Sequence, residues 1–219
     1  MKDSDDFPDG ADDNRAETPA ERRRRKIRAT IVEVAENVFS QEGEDGLSMR
    51  RLADEIDYSP AAIYKYFKSK DELLNEIREQ FYLRLAERLD ASVDENRFDK
   101  ESFCAFARAY IQTGVESPNH YHMAFLNYRE TEPRIGAAQQ LVSERYNAFV
   151  AGMISAGKFR PAEAKLAATS IWASLHGVTK FLAWVSRASI DPADHPLAGY
   201  SSDELIDFHV EAIHRSFAA

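Results

Sequence analysis

Apolar residues recur at helical spacing along most of the chain, interrupted by short polar turns. Ile27, Ile31, Val34, Ala35, Val38 and Phe39 share one face of a helix that a Thr18-Pro19-Ala20-Glu21 capping signal opens and a glycine near Gly43 stops. After the turn Glu44-Asp45-Gly46, Leu47 precedes a Ser48 cap and a short helix whose Leu52, Ala53 and Ile56 would face the first. Asp57-Tyr58 is a break, and Ser59-Pro60 restarts a third helix with Ile63 and Phe67 as its inward pair. Two short helices joined by so tight a turn predict a helix-turn-helix. Ser69-Lys70-Asp71-Glu72 reads as another capping box, opening a long helix through Leu73, Leu74, Ile77, Phe81, Leu85 and Leu89. Further helices are predicted over about 99–115, a short piece after Ser117-Pro118, then 132–156, 162–188 and 202–217.

The pattern therefore predicts an all-α chain of about nine helices. It divides into an acidic tail (1–17), a three-helix helix-turn-helix domain (18–70) and a larger helical domain (71–219). Composition agrees, since 44% hydrophobic residues suffice for a core and only 9 glycines and 8 prolines interrupt 219 residues. The tail holds seven acids and almost nothing apolar, so burial cannot offset its ordering entropy and disorder is expected. One cysteine, Cys104, cannot form an intrachain disulfide. No run approaches the ~18 apolar residues of a membrane span, and no secretory signal is visible, which predicts a cytoplasmic protein with no membrane partner.

The net charge of −9 argues at first sight against nucleic acid. Its distribution reverses that reading, because residues 21–70 carry eleven basic and nine acidic side chains while both flanking blocks are net acidic. The run Arg22 to Lys26 sits in the first turns of a helix, where cations oppose the helix dipole. A DNA backbone would favour them there, with a solvated charge run as the plain alternative, and Arg24 and Lys26 are the named candidates.

From Leu47 through Ser-Met-Arg-Arg-Leu-Ala-Asp-Glu-Ile-Asp-Tyr-Ser-Pro-Ala-Ala-Ile-Tyr-Lys-Tyr-Phe-Lys-Ser-Lys-Asp-Glu to Leu73, the chain resembles the signature of the TetR family of regulators. The resemblance covers about residues 22–75 and implies a sequence-specific DNA-binding regulator, most often a repressor released from a palindromic operator by a small molecule. Groove dimensions agree: a helix ~10–12 Å across fits a major groove ~12 Å wide. Small Ala61 and Ala62 would let the backbone approach and touch a thymine methyl, while Lys65 and Arg50 could bond guanine. By analogy with the family, Tyr64, Tyr66 and Lys70 would contact phosphate, as would the Ser48 hydroxyl and the amides at the helix starts, the Ser59-capped third helix included. Tyr64 and Tyr66 can equally be read as packing on neighbouring helices, Lys65 as merely solvated, and Arg51 as paired with a nearby acid.

One helix-turn-helix makes few base contacts, so a homodimer with half-sites about one DNA turn (~34 Å) or multiples apart is expected. Ile171, Leu175, Val178, Leu182 and Val185, with Ile206, Val210, Ile213 and Phe217, form stripes that resemble the family's dimer interface through the last two helices, with intramolecular core as the alternative. Large aromatics crowd the middle of the chain, and an apolar effector pocket is expected among Phe106, Tyr110, Phe125 and Trp172, with His122, Asn127 and His176 as further polar candidates. Trp172-Ala-Ser-Leu-His176-Gly177 resembles the Trp-His-Gly motif of one TetR subgroup's C-terminal domain. His120-x-His122 lacks a convergent ligand set, no nucleotide loop or hydrolase elbow is present, and Cys104 has no evident activating partner. No metal, no cofactor and no enzymatic activity are expected. The rival reading is a helical enzyme or ligand carrier with a structural N-terminal unit.

Overall fold

A computed structural model describes residues 17–94, 97–125, 136–186, 197 and 199–219. The described residues form nine helices: α1 (Pro19–Gly46), α2 (Met49–Glu55), α3 (Pro60–Ile63), α4 (Lys70–Ser92), α5 (Lys100–Glu116), α6 (Pro118–Phe125), α7 (Ala137–Ser155), α8 (Ala164–Val185) and α9 (Ser202–Phe217). The tail expected over residues 1–17 lies, Glu17 apart, outside the described residues.

Local chemistry sets most helix starts. Thr18 accepts from the Glu21 amide while the Glu21 carboxylate accepts from the Thr18 amide, so both halves of the capping box form, with Pro19 in the first turn. Ser48, Ser59, Asp99 and Ser201 each accept from the amide three residues on, at Arg51, Ala62, Ser102 and Glu204. At Ser69 only half of the expected box exists. Its hydroxyl accepts from the Glu72 amide, but the Glu72 carboxylate turns back one residue further and takes the Lys68 amide at 2.7 Å. The expected stop at Gly43 is a kink inside α1, which runs on to Gly46: Gly43 adopts φ 70°, ψ −157°, a positive φ that glycine tolerates without strain.

Two boundaries differ from the sequence expectation. The α7 helix starts at Ala137; residues 132–135 of the expected span lie outside the described residues. Gly136 offers no side-chain cap, and the Glu79 carboxylate on α4 instead accepts from the Ala138 amide at 2.9 Å. A start secured by another helix leaves no local signature. The α8 helix starts at Ala164, later than expected, where the Glu163 carboxylate takes the Lys165 and Leu166 amides, and reaches a Ser186 C-cap; residues 187–188 of the expected span lie outside the described residues.

Apolar faces meet in two cores. One gathers Ile31, Ala35, Phe39, Leu52, Ile63 and Phe67 from α1–α3 and the turn after them with Leu73, Leu74 and Ile77 of α4. The other joins Phe81, Leu85 and Leu89 of α4 to α5–α9. The long α4 thus belongs to both, and each of its fully buried Phe or Leu side chains contributes about 1.5–3 kcal/mol. A second bridge is α6, whose Met123 enters the first core and whose Tyr121 and Ala124 enter the second.

Candidate nucleic-acid interface and ligand cavity

Ile63 and Phe67 are fully buried in the first core, with α3 seated against α2. A clamp that sequence reasoning missed reinforces this seat: the Arg28 guanidinium lies 4.6 Å over the Phe67 ring and pairs with Glu76 of α4 at 2.6 Å. Glu76 is held below its ordinary carboxylate value, chiefly by that Arg28 hydrogen bond. What α3 turns outward is the set the sequence nominated. Ser59, Ala61 and Lys65 are exposed, Tyr64 is 51% exposed and Ala62 is half-buried. Tyr66 is half-buried and packs on the first core, which limits its free edge.

Arg24 reaches the same edge from α1, its Nη2 donating to the Lys65 carbonyl at 3.4 Å. Lys26 and Arg50 are exposed. Two other cations of the run are engaged within the chain: Arg22 donates to the Glu17 carbonyl at 2.8 Å and Arg25 pairs with the Glu17 carboxylate at 2.9 Å. Arg51 pairs with Glu42 at 2.6 Å and Glu55 at 3.5 Å, the nearby acids its sequence position predicts. Lys70 is half-buried and donates to the Glu44 carbonyl at 2.7 Å, tying the start of α4 to the turn after α1 and leaving two of its three donors. The Ser48 and Ser59 hydroxyls accept cap bonds and retain a proton to donate. Tyr58, read from sequence only as a break, is 38% exposed beside Ser59; no local signal distinguished it.

A cavity of about 450 Å³ opens in the second core. Tyr82 of α4, Tyr110 of α5, Phe125 of α6, Tyr146 of α7 and Trp172 of α8 line it, with Gln139, Asn147, Lys165 and Thr169 among its polar residues. Three of the expected ligand residues, Tyr110, Phe125 and Trp172, therefore converge. Phe106 does not line this wall; it is buried and stacked on Phe149 at 4.3 Å. His122 is exposed and lines a separate recess of about 260 Å³ with Phe39, Glu42 and Asn119 on the α1 side. Asn127 lies outside the described residues. Tyr82 and Tyr146 were absent from the sequence reading of the pocket, because helical period alone does not separate a cavity wall from packed core.

His176 stands one step behind the wall. Its Nδ1 lies 2.6 Å from the Tyr121 hydroxyl, which lies 3.2 Å from the Tyr110 hydroxyl on the cavity side. Burial, then the Lys180 charge, lowers the His176 pKa and keeps the ring neutral near pH 7. Trp172 stacks on the same imidazole at 5.1 Å. Burial likewise pushes the Cys104 thiol up, away from a reactive thiolate. Among the described residues no group of three potential metal ligands occurs, and no helix is long and apolar enough to cross a membrane.

The seam residues expected at a dimer interface lie elsewhere. Ile171, Leu175, Val178, Leu182, Val185, Ile206, Val210 and Ile213 are buried in the chain's own second core, and Phe217 packs half-buried against it. Other faces of α8 and α9 carry the exposed apolar groups: Leu166 (69%), Trp184 (54%) and Phe208 (68%). Gly177 lies on the exposed side of α8, where a Cβ would meet nothing within 4 Å.

A family model described as bacterial regulatory proteins, tetR family, matches residues 31–77, and one described as tetracyclin repressor-like, C-terminal domain, matches residues 103–195. An HTH-type transcriptional regulator of Mycobacterium tuberculosis is 28% identical over 144 residues, 63% of this chain and 61% of that protein. The match thus spans about three fifths of that curated relative's length. Among solved structures, a protein with unknown function from Rhodococcus sp. RHA1 superposes with TM-score 0.74 at 26% identity, over 88% of this chain and 96% of its own. A bacterial regulatory protein in the tetR family, from Rhodococcus RHA1, superposes with TM-score 0.65 at 20% identity, over 89% of this chain and 98% of its own, a likeness of fold.

Proposed function

The chain belongs to the TetR family of bacterial regulatory proteins, and from that premise we propose that it is a cytoplasmic, sequence-specific DNA-binding regulator of transcription acting as a homodimer. Its partner is double-stranded operator DNA, and a small-molecule effector bound in the α4–α8 cavity releases it, which makes it a repressor. The observation that carries this reading is the exposed edge Ala61-Tyr64-Lys65, held by buried Ile63 and Phe67 and flanked by Arg24. Small Ala61 admits the groove, Lys65 and Arg50 supply donors for guanine, and Tyr64, Arg24, Lys26 and the cap hydroxyls supply phosphate contacts. Lys70 and Tyr66, both partly engaged inside the chain, are left with a smaller share.

The second copy associates through the outward faces of α8 and α9, around Gly177, Trp184 and Phe208, rather than through the stripes that fill the monomer core. Release follows if the effector favours a conformer whose two reading heads are wrongly spaced, since only differential affinity shifts an equilibrium.

Selection of bound duplexes from a random pool, followed by fluorescence anisotropy, tests the reading. A twofold-symmetric site should emerge, and Lys65→Ala should lose about five- to hundredfold on it, as removal of a base contact worth ~1–3 kcal/mol implies, with little change on nonspecific DNA. A dimer that enriches no sequence would favour the helical carrier or enzyme instead.

A further inference from the structure

We infer that the α4–α8 cavity is built for a small planar aromatic ligand that carries a hydrogen-bond acceptor and no positive charge, with the Tyr146 hydroxyl as its donor. The inference rests on reading this cavity as the effector site and adds the chemistry of what fills it.

Five rings from five different helices enclose the space: Tyr82, Tyr110, Phe125, Tyr146 and Trp172. They meet one another at edges and tilts rather than in stacks. Tyr82 and Phe125 are 5.5 Å apart at 79°, Tyr110 and Tyr146 6.4 Å apart at 67°, and Phe125 and Trp172 6.2 Å apart at 47°. A flat ring entering such a set finds both faces and edges to pack on, the arrangement aromatic quadrupoles favour. About 450 Å³ suits a ligand of two or three fused or linked rings.

The polar groups narrow the class. The Tyr82 hydroxyl donates to the Ala124 carbonyl, and the Tyr110 hydroxyl is engaged with Tyr121. Tyr146 differs: it is only 5% exposed, its hydroxyl has no hydrogen-bond partner among the described residues, and it lines the cavity. Burial holds that phenol far above its ordinary pKa, so it stays protonated and can donate. A buried unpaired hydroxyl destabilises the empty protein, and a ligand acceptor would remove that cost on binding. Charge sets the third condition. Among the described residues the lining includes Lys165 and no carboxylate, within a chain of net charge −9, so these residues disfavour cations that the rest of the protein would attract.

Isothermal titration of the full chain with four matched probes tests this: 2-naphthoate, methyl 2-naphthoate, 2-methylnaphthalene and 2-naphthylmethylamine. The first two should bind at least about tenfold more tightly than the hydrocarbon and the amine, roughly the worth of one well-made hydrogen bond. Tyr146→Phe keeps the ring, so its unfolding midpoint should equal or exceed that of the parent. It should weaken the naphthoate and its ester about five- to tenfold and leave the hydrocarbon unchanged. Equal affinity of the amine, an undiminished Tyr146→Phe, or no binding of any probe at about 1 mM overturns the inference. Anisotropy on the selected duplex separates this result from the regulatory reading. Probe binding with unchanged DNA affinity would keep the ligand chemistry and discard its role as effector. Duplex binding with no probe bound would do the reverse.

Discussion

Replacing Gly177 separates the stability of one chain from the association of two. Gly177 sits inside α8 on a side exposed in the chain, and an added Cβ meets no atom within 4 Å. Alanine there removes backbone entropy from the unfolded state without a clash, worth about 0.5–1 kcal/mol in a helix interior. For a chain of this size that shifts the midpoint by roughly 1–4 °C. Leucine should also leave the single chain folded but projects into whatever lies against α8. Trp184 on the same helix sets the scale of that association. At 54% exposed, it offers about half of the ~150–250 Å² an aromatic can bury, or roughly 2–3 kcal/mol per subunit. Gly177→Leu should therefore raise the dimer dissociation constant at least about tenfold by sedimentation. Unfolding must be followed at concentrations where the chain is monomeric, because association adds to apparent stability. Gly114 on α5 supplies the opposite case. Its Cβ would lie 2.3 Å from Thr179 Cγ2 and 2.6 Å from Tyr121 Cδ2, so Gly114→Ala should cost about 1–3 kcal/mol. A Gly177→Leu protein that sediments like its parent at every concentration would refute the assignment of this face.

Acid should act through the junction of α1 and α6, where Glu36 accepts from buried His120 at 2.6 Å and pairs with Arg84 at 3.2 Å. Burial alone would raise the Glu36 carboxyl, but His120 and Arg84 together outweigh it and the net shift is downward. Its contribution is thus complete above the ordinary carboxylate range and fades as pH falls through the lowered value. Glu36→Gln should cost about 1.5–3 kcal/mol at neutral pH and flatten the acid limb of a urea-midpoint profile; parallel limbs would remove Glu36 from the account. Arg24→Ala with Lys26→Ala should weaken binding to all duplexes alike and reduce the slope of log K against log salt by about 1 for each phosphate no longer neutralised, an unchanged slope excluding both.

Signals that act over three or four residues were legible from the chain. The caps at Thr18, Ser48 and Ser59, the backbone break at Gly43 and the inward pair Ile63 and Phe67 all stand where spacing placed them. Choices made between distant segments were not. An apolar stripe on α8 states that something covers it, not whether that is α5 of the same chain or a second copy; here Ile171 to Val185 went to the inside. Ser69 followed the same rule, because Glu72 had two amides within reach and took that of Lys68. Lys70 was read as a phosphate contact from family likeness, and only the fold brings the Glu44 carbonyl to its ammonium. In the cavity, Tyr110, Phe125 and Trp172 were nominated as large aromatics, yet helical spacing does not separate the cavity-lining Tyr146 from an aromatic of the packed core. Burial without a partner distinguishes its hydroxyl, and that is a property of the assembled helices.

On the function proposed above, the eight residues of α6 link the cavity and the reading head. On one side Phe125 lines the ligand space and Tyr121 bonds the Tyr110–His176 relay. On the other, Asn119 donates to the Phe39 and Ser40 carbonyls near the end of α1, His120 holds Glu36, and Met123 is buried in the first core. Any ligand that displaces Phe125 must move this helix as a body or break those bonds to α1, and α1 carries Arg24 against the edge of α3. A tenfold loss of operator affinity requires about 1.4 kcal/mol of difference between the two conformers' affinities for the ligand, comparable to one hydrogen bond broken at this junction. Severing Asn119 or His120 from α1 should therefore uncouple ligand from DNA while leaving both bound. Breaking only the Arg84–Glu36 pair, which joins α4 to α1 without α6, should leave the coupling in place.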